Sequence, residues 1–457
     1  MRVFMLGWEF PPFISGGLGT ACYGLTKAMS GLGTDIMFVL PRPVATPFST
    51  HVRLVSPRAG SPLASPSTEF RLDEFDHVSF RTVDAQMGDP YLSADDYVAR
   101  KEAIRKRTLA ATQVESESLA ALAALPSTGA TPGFIGAKDL GGASPYGGDL
   151  FAEIQRYALL AAEIARNETF DVVHAHDWMT FPAGLAVAGL KGVPLIVHVH
   201  STEFDRSGLN VDQRIYEIER RGMHGAIRVI AVSSLTRNLI VHHYGIDQSK
   251  VAVVYNAIES NGNGVDMEQY NIHKDEKIVL FLGRITMQKG PEYFLAAAKK
   301  VLEVMDNVKF VMAGSGDMIR RTIEMAAGMG IGHKVLFTGF LRGPDVEKIF
   351  KMADLYVMPS VSEPFGIAPL EAMSHDVPVI ISKQSGVSEV LTHALKVDFW
   401  DINEMANKII AVLRHPPLAS TLRQHGSFEV RRLSWTDAAR ACVSVYEDAR
   451  AAMNGHK

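Results

Sequence analysis

Short apolar runs that alternate with helix-patterned segments, twice over along the chain, leave few folds open. RVFMLGW, DIMFVLP, FDVVHAH, PLIVHVH, RVIAVS and VAVVYN form one series, and KIVLFLGR, VKFVMAG, KVLFTG, DLYVMPS and PVIISK form a second. Such β, α, β alternation predicts parallel, doubly wound sheets. A polar stretch rich in Asn and Gly, residues 256–277, separates the two series and reads as an interdomain linker. The expectation is therefore an α/β protein with one doubly wound domain over residues 1–258 and a second over 274–430. Ligands of such sheets bind outside the carboxyl ends of the strands, so two facing domains would share one cleft.

The rhythm breaks at residues 43–150. This segment is enriched in Pro and Ser at first, then carries a helical run near VARKEAIRKRTLAATQVESESLAALAAL, and ends Gly-rich at GGASPYGGD. It reads as an insertion in the first domain. At the far end, within residues 431–457, WTDAARACVSVYEDARAAM places Ala438, Ala441, Cys442, Val445 and Tyr446 near one helical face. That face has to dock, and the first domain is the expected partner.

Composition excludes several classes. The 457 residues are 47% hydrophobic and 21% charged, which is ordinary for a folded globular chain and argues against disorder or a fibre. Forty-six basic against fifty acidic side chains give a net charge of -4, no reason to expect nucleic acid as the main partner. The basic stretch RKEAIRKR, residues 100–107, reads as a solvated helix face. Cys22 and Cys442 are the two cysteines, too few for a disulfide framework, and a reducing cytoplasm fits them. MRVFMLG lacks the features of a signal peptide, and no apolar run approaches membrane-spanning length.

The motif with most chemistry is EPFGIAPLE, Glu363 to Glu371, two carboxylates around a glycine directly after a strand. A turn followed by a helix starting near Ile367 would aim free backbone N–H groups at a phosphate. Glu371, one turn along that helix, and Glu363, before the turn, could each accept hydrogen bonds from sugar hydroxyls. Acidic residues near a helix start also serve as dipole partners and surface charges. In GRITMQKG, Arg284 and Lys289 lie just after the first strand of the second domain, bracketed by Gly283 and Gly290. Two cations at a strand end can straddle a diphosphate and stabilise it as a leaving group. AGSGD, with Gly314 and Gly316, is a second strand-end turn in the same sheet.

GGLG, Gly16 to Gly19, lets main chain approach a ligand or simply feeds a helix, and it does not match the dinucleotide fingerprint. HAHDW and HVHST place His174, His176, His198 and His200 at two strand ends, each pair sharing a face. Metal ligation, core packing and polar contacts to a sugar are all compatible with that spacing.

Taken together, WEFPPFISGGLG, HAHDW, GRITMQKG, AGSGD, TGF and SEPFGIAPLEAM resemble the retaining glycosyltransferases of the GT-B fold, family 4, related to glycogen and starch synthases. The resemblance spans nearly the whole chain and implies two Rossmann-like domains facing a central cleft. It implies a donor site in which Arg284 and Lys289 meet the diphosphate, Glu371 the ribose, and Glu363 with Phe365, Gly366 and Ile367 the donor sugar and phosphates. Gly17 and Gly314 would approach the donor, and Phe340 and Leu341 fall where the base is contacted. His200 would contact the transferred sugar, with Asp177, His176 and Asn256 on the acceptor side or at the hinge. His200, Arg284, Lys289 and Glu363 are the catalytic candidates, with no metal and no cofactor.

The implied reaction moves a hexosyl unit, glucose above all, from ADP- or UDP-glucose to an α-glucan or another sugar. Bacterial ADP-glucose-using synthases carry lysine two residues before the paired glycines, where this chain has Ile14, and this leaves the nucleotide open. Other family 4 acceptors, a pyridoxal-dependent phosphorylase, a zinc hydrolase and a non-catalytic glucan-binding relative are the competing readings. Oligomeric state is not legible.

Overall fold

The structure, a computed structural model, describes residues 1–10, 17–41, 150–258 and 276–454, with the backbone of two further strands at 68–70 and 78–82. Met1–Met87 and Phe151–Lys457 form one compact unit that contains both sheets. Ile14, Gly16, the linker residues 259–275, the basic stretch 100–107 and nearly all of the expected insertion lie outside the described residues.

The first sheet has eight strands, β1 (Arg2–Leu6), β2 (Asp35–Leu40), β3 (Thr68–Phe70), β4 (Val78–Thr82), β5 (Val172–His176), β6 (Leu195–Val199), β7 (Arg228–Ala231) and β8 (Val251–Val253). Their spatial order is β3-β4-β2-β1-β5-β6-β7-β8, parallel throughout except that β3 runs antiparallel to β4 at the edge. The second sheet is wholly parallel. It comprises β9 (Lys277–Leu282), β10 (Val308–Ala313), β11 (Val335–Gly339), β12 (Leu355–Met358), β13 (Val379–Ser382) and β14 (Leu395–Val397), in the order β11-β10-β9-β12-β13-β14. Two doubly wound α/β sheets are thus present, as the alternation predicts. The sequence reading misses β3, β4 and β14. β14 is three residues long, and β3 and β4 fall inside the segment taken as an insertion, where Pro and Ser obscure a Val78, Phe80, Thr82 alternation.

Both faces of the second sheet are covered, which is why its strands are apolar without alternation. Val279 and Phe281 of β9 join Leu355 and Val357 of β12 in one core cluster, while Ile278, Leu280, Tyr356 and Met358 belong to the cluster on the opposite face. In the first sheet, Val3 and Met5 of β1 face a layer made by the Gly17–Gly31 helix and the carboxyl-terminal Trp435–Asn454 helix. Trp435, Ala438, Cys442, Val445 and Tyr446 are all buried there. The last helix therefore caps the first sheet. No described helix is long and apolar enough to cross a membrane.

The two helices of this layer approach closely because Gly24 has no side chain. A Cβ built on Gly24 would lie 2.3 Å from the indole of Trp435. Gly24→Val is expected to lower stability by about 1–3 kcal/mol through overpacking, read as a lower midpoint in denaturant unfolding; an unchanged midpoint would show that the two helices do not meet in this way.

Candidate active site

Each sheet reverses its winding direction beside its first strand. β1 lies between β2 and β5, and β9 lies between β10 and β12, so crevices open beyond the carboxyl ends of β1/β5 and of β9/β12. The residues singled out in the sequence follow these strands: Asp177 after β5, Arg284 and Lys289 after β9, Glu363 after β12.

In the second sheet, β9 runs into Gly283, Arg284 and a Met287–Lys289 turn, and Gly290, at φ 67°, starts the Pro291–Leu302 helix. A Cβ on Gly290 would stand 2.1 Å from the carbonyl oxygen of Pro359, so glycine lets this turn press against the end of β12. Lys289 Nζ is thereby ion-paired with Glu363, a partner 74 positions away in sequence. Ser360 Oγ donates to the same carboxylate at 3.1 Å. Arg284 Nη2 donates to Gln288 Oε1 at 3.3 Å, and the Gln288 carbonyl accepts from Val361 N at 2.9 Å, tying the cationic turn to the acidic one.

Gly314 has a tighter reason to be glycine than approach to a ligand. At φ 143°, a Cβ there would lie 1.8 Å from the Gly283 carbonyl oxygen, and one on Gly316 would lie 2.3 Å from that of Ile285. The AGSGD turn thus clamps the strand end that carries Arg284, with Ile285 N donating to Ser315 O at 2.9 Å. Phe340, after β11, is half-exposed, with the Arg342 guanidinium 5.2 Å from its ring centroid, and Leu341 follows it.

The acidic turn is backbone-locked. Glu363 N donates to Gln384 O, Gly386 N to Glu363 O, and Val387 N to Phe365 O. Phe365 is buried, and Gly366 takes φ 101°, a left-handed conformation that favours glycine. Ile367 caps the Ala368–Ser374 helix. Glu371 lies in its first turn, where burial pushes its carboxyl up to about 7 even though part of the side chain still meets solvent. Burial raises the Tyr356 phenol, and the charges of Glu363 and Glu371 add to it, so both carboxylates lie near this one group. Tyr356 OH donates to the Leu282 carbonyl at 3.2 Å.

In the first sheet, Asp177 occupies φ 59°, uncommon for a residue with a side chain. Its Oδ1 accepts from His200 N at 2.7 Å and Ser201 N at 3.3 Å. That carboxylate is therefore engaged in fixing the end of β6, and burial lifts it to about 7 against those hydrogen bonds. His200 keeps some exposure, and desolvation lowers its pKa to about 3, so the imidazole is neutral. Behind it, His176 Nδ1 lies 2.9 Å from His200 Nε2. His176 has no exposed surface and reaches the cleft only through His200, so the direct sugar contact of the sequence reading is not open to it in this structure. Asn256 is buried in the connection leaving β8. Gly17 is exposed, and a Cβ there would meet nothing within 4 Å.

The two halves of the cleft touch. Ser362 Oγ donates to Asp205 Oδ1 at 2.6 Å, and Ser233 Oγ to Pro364 O at 2.6 Å. The Glu203–Ser207 helix, which starts just after His200, packs on the Met287–Lys289 turn. Glu389 accepts from Ser234 N, Leu235 N and Tyr255 OH. Sequence reasoning missed Gln288, Ser360, Asp205 and Glu389. Asp205 and Glu389 act on partners more than 130 positions away, and Gln288 and Ser360 are neutral side chains that orient nearby charged ones, so no local pattern announces them.

Comparison with known proteins agrees with this architecture. The family model described as "Glycosyl transferases group 1" matches residues 264–427, "Glycosyltransferase Family 4" matches 131–261, and "Starch synthase catalytic domain" matches 2–97. An uncharacterized glycosyltransferase of Methanocaldococcus jannaschii is 34% identical over 297 residues, which is 61% of this chain and 76% of the relative. Glycogen synthase of Mycobacterium tuberculosis is 24% identical over 466 residues, covering 98% of this chain and 94% of that protein. The catalytic domain of starch synthase IV from Arabidopsis thaliana, solved with ADP and acarbose, superposes with a TM-score of 0.66 at 14% identity, covering 98% of this chain and 99% of that one. The chain belongs to the family 4 glycosyltransferases of the GT-B fold and is related to the glycogen and starch synthases.

Proposed function

We propose that this protein transfers a hexosyl unit, glucose above all, from a nucleoside diphosphate to an α-glucan or related sugar hydroxyl with retention of configuration. The observation that carries the reading is the meeting of Lys289 and Glu363 where two switch-point strands end, with Arg284 held beside them by Gln288. Two cations here match the charge of a diphosphate, and a carboxylate next to them matches sugar hydroxyls. Relatives support the chemistry: the starch synthase structure holds ADP and acarbose, and a full-length relative is a glycogen synthase.

On this reading the bond from the anomeric carbon to the diphosphate oxygen breaks while the acceptor oxygen bonds to the same face. The acceptor proton passes to the departing phosphate oxygen. Arg284 and Lys289 stabilise the charge that builds on the leaving group, the work a divalent ion performs elsewhere. His200, neutral because it is desolvated, hydrogen-bonds the sugar without adding charge beside the developing oxocarbenium. Glu371 accepts from the ribose hydroxyls, Phe340 and Leu341 flank the base, and Gly17 leaves room for the phosphates.

The direct test is nucleoside diphosphate release from ADP-, UDP- and GDP-sugars, with and without maltooligosaccharide and without added magnesium or manganese. Release from a glucose donor that depends on maltooligosaccharide is expected, with an α-linked product by NMR. Arg284→Ala and Lys289→Ala should each lower kcat by about 100-fold or more; wild-type turnover in either variant would remove the role given to the pair.

The titration of Glu371 supplies a second test. Its carboxyl is raised to about 7, so it is protonated below neutrality and ionised above it. A ribose acceptor must be ionised, so the donor KM should rise as pH falls from 8 to 6. In Glu371→Gln, KM should be high and flat over that range. The same shift makes the ionised carboxylate a cost to the fold that is absent below the unfolded carboxylate range and complete above about 7. Glu371→Gln should accordingly raise the melting midpoint at pH 8 more than at pH 5. A pH-dependent KM in the variant that tracks wild type would assign the titration to another group.

A further inference from the structure

The sheet layer under the first half of the cleft contains imidazoles where it should contain hydrocarbon. Val172, His174 and His176 alternate along β5, and Ile196 and His198 along β6, on the face where Val172 and Ile196 join the apolar cluster of the two covering helices. His174, His176 and His198 are essentially without exposed surface, and their rings stack with centroids 4.2–5.3 Å apart. Parallel pairing sets His176 opposite His198, so the three rings share one spot between sheet and helices.

Their hydrogen bonding is lopsided in an informative way. His174 Nδ1 lies 2.5 Å from Tyr446 OH, and His176 Nδ1 lies 2.9 Å from His200 Nε2. Each of these two rings is held by one nitrogen, and its Nε2 has no partner among the described residues; His198 has none among them at either nitrogen. Buried polar atoms are nearly always satisfied, and a missing ion is one reason when they are not. A metal-bound histidine shows the same arrangement, one ring nitrogen fixed by an outer partner and the other presented to the ion. Each of the three rings offers a nitrogen, and those nitrogens lie within 4.8 Å of one another.

We propose that His174, His176 and His198 form a buried site for a late first-row divalent metal ion of the zinc class, structural rather than catalytic. Neutral imidazoles suit such ions, and oxygen-seeking magnesium or calcium does not suit them. Zinc–nitrogen bonds of about 2.0–2.1 Å in a tetrahedral set put ligand nitrogens about 3.4 Å apart, so nitrogens now within 4.8 Å close by about 1.4 Å at most, and the stacked rings turn on binding to point their in-plane lone pairs at the ion. The ion lies apart from the diphosphate site, which Arg284 and Lys289 serve, and acts on the cleft through His176, which steadies His200. This departs from the expectation that the chain holds no metal. It also reaches Tyr446, so the carboxyl-terminal helix contributes the outer partner of one ligand.

The experiment is metal analysis of the full-length protein loaded with zinc and desalted, with cobalt as a spectroscopic substitute. One ion per chain, a visible spectrum of tetrahedral nitrogen-ligated cobalt and a rise in melting temperature on loading are expected. His198→Gln, which alters no group assigned to the substrate, should lose all three, as should His174→Asn, while the surface variant His242→Gln should keep them. Tyr446→Phe should still bind, with weaker affinity, as loss of an outer-partner hydrogen bond typically costs about 10-fold or more. Circular dichroism separates loss of metal from loss of fold, and if both cluster variants fail to fold, the wild-type cobalt spectrum alone decides. Less than stoichiometric metal in the wild type, or stoichiometric metal that survives in a folded His198→Gln, would overturn the site.

Discussion

A parallel sheet that winds first one way and then the other must leave a crevice beyond the strand where it turns, because the connections before and after that strand depart to opposite sides. Both sheets here turn at their first strand, β1 and β9, and the charged residues Asp177, Arg284, Lys289 and Glu363 sit just past β5, β9 and β12. This constraint explains why Lys289 and Glu363, on separate turns, meet: β9 and β12 are hydrogen-bonded neighbours, so their carboxyl ends lie side by side. Glycines at 290, 314 and 316 then let backbone approach backbone at distances that any side chain would forbid.

How much of this was readable in advance depends on whether the responsible signal is local. Eleven of the fourteen strands carry a continuous apolar run between polar punctuation, and the sequence declares them. β14 is too short for any period to register, and β3 and β4 lie where turn-forming residues dominate. Arg284, Lys289, Glu363 and Glu371 stand out in the sequence because strand-end glycines and paired carboxylates fall in two short windows, and the structure brings the first three of them together. Gln288 and Ser360 sit inside or beside the same windows and were missed, since a neutral side chain that orients a charged one has no signature of its own. His176 shows the opposite failure. Its sharing of a strand face with His174 was legible, but whether that face met solvent or a helix depended on the Gly17–Gly31 helix, far earlier in the chain, whose Cys22 Sγ lies within 4.8 Å of a His176 ring nitrogen.

Burial governs the electrostatics on both sides of the cleft, and it acts in opposite directions on acids and bases. Asp177 and Glu371 are each lifted to about 7, whereas His174 and His200 are lowered to about 3, and in each case the principal cause is removal of water. Around neutral pH the histidines are therefore uncharged, and two of the carboxyls stand near the point where they change charge. Arg284 and Lys289 bring two formal positive charges to the turn that follows β9.

The pairing of Lys289 with Glu363 bears on selectivity. Before a ligand arrives, the lysine's charge is already balanced by a carboxylate that is nearly buried and held by Ser360. A bare diphosphate that takes the lysine leaves Glu363 without its counter-charge in a poorly solvated pocket, and an uncompensated buried charge is strongly unfavourable. A nucleotide sugar brings hydroxyl donors attached to the same diphosphate and can satisfy both members of the pair together. In the proposed transfer, the ion pair thus works as a test that the complete donor passes and the free nucleoside diphosphate does not. This favours release of the nucleoside diphosphate once the sugar has left, and it follows from the proximity of two side chains that a strand-order reversal brings together.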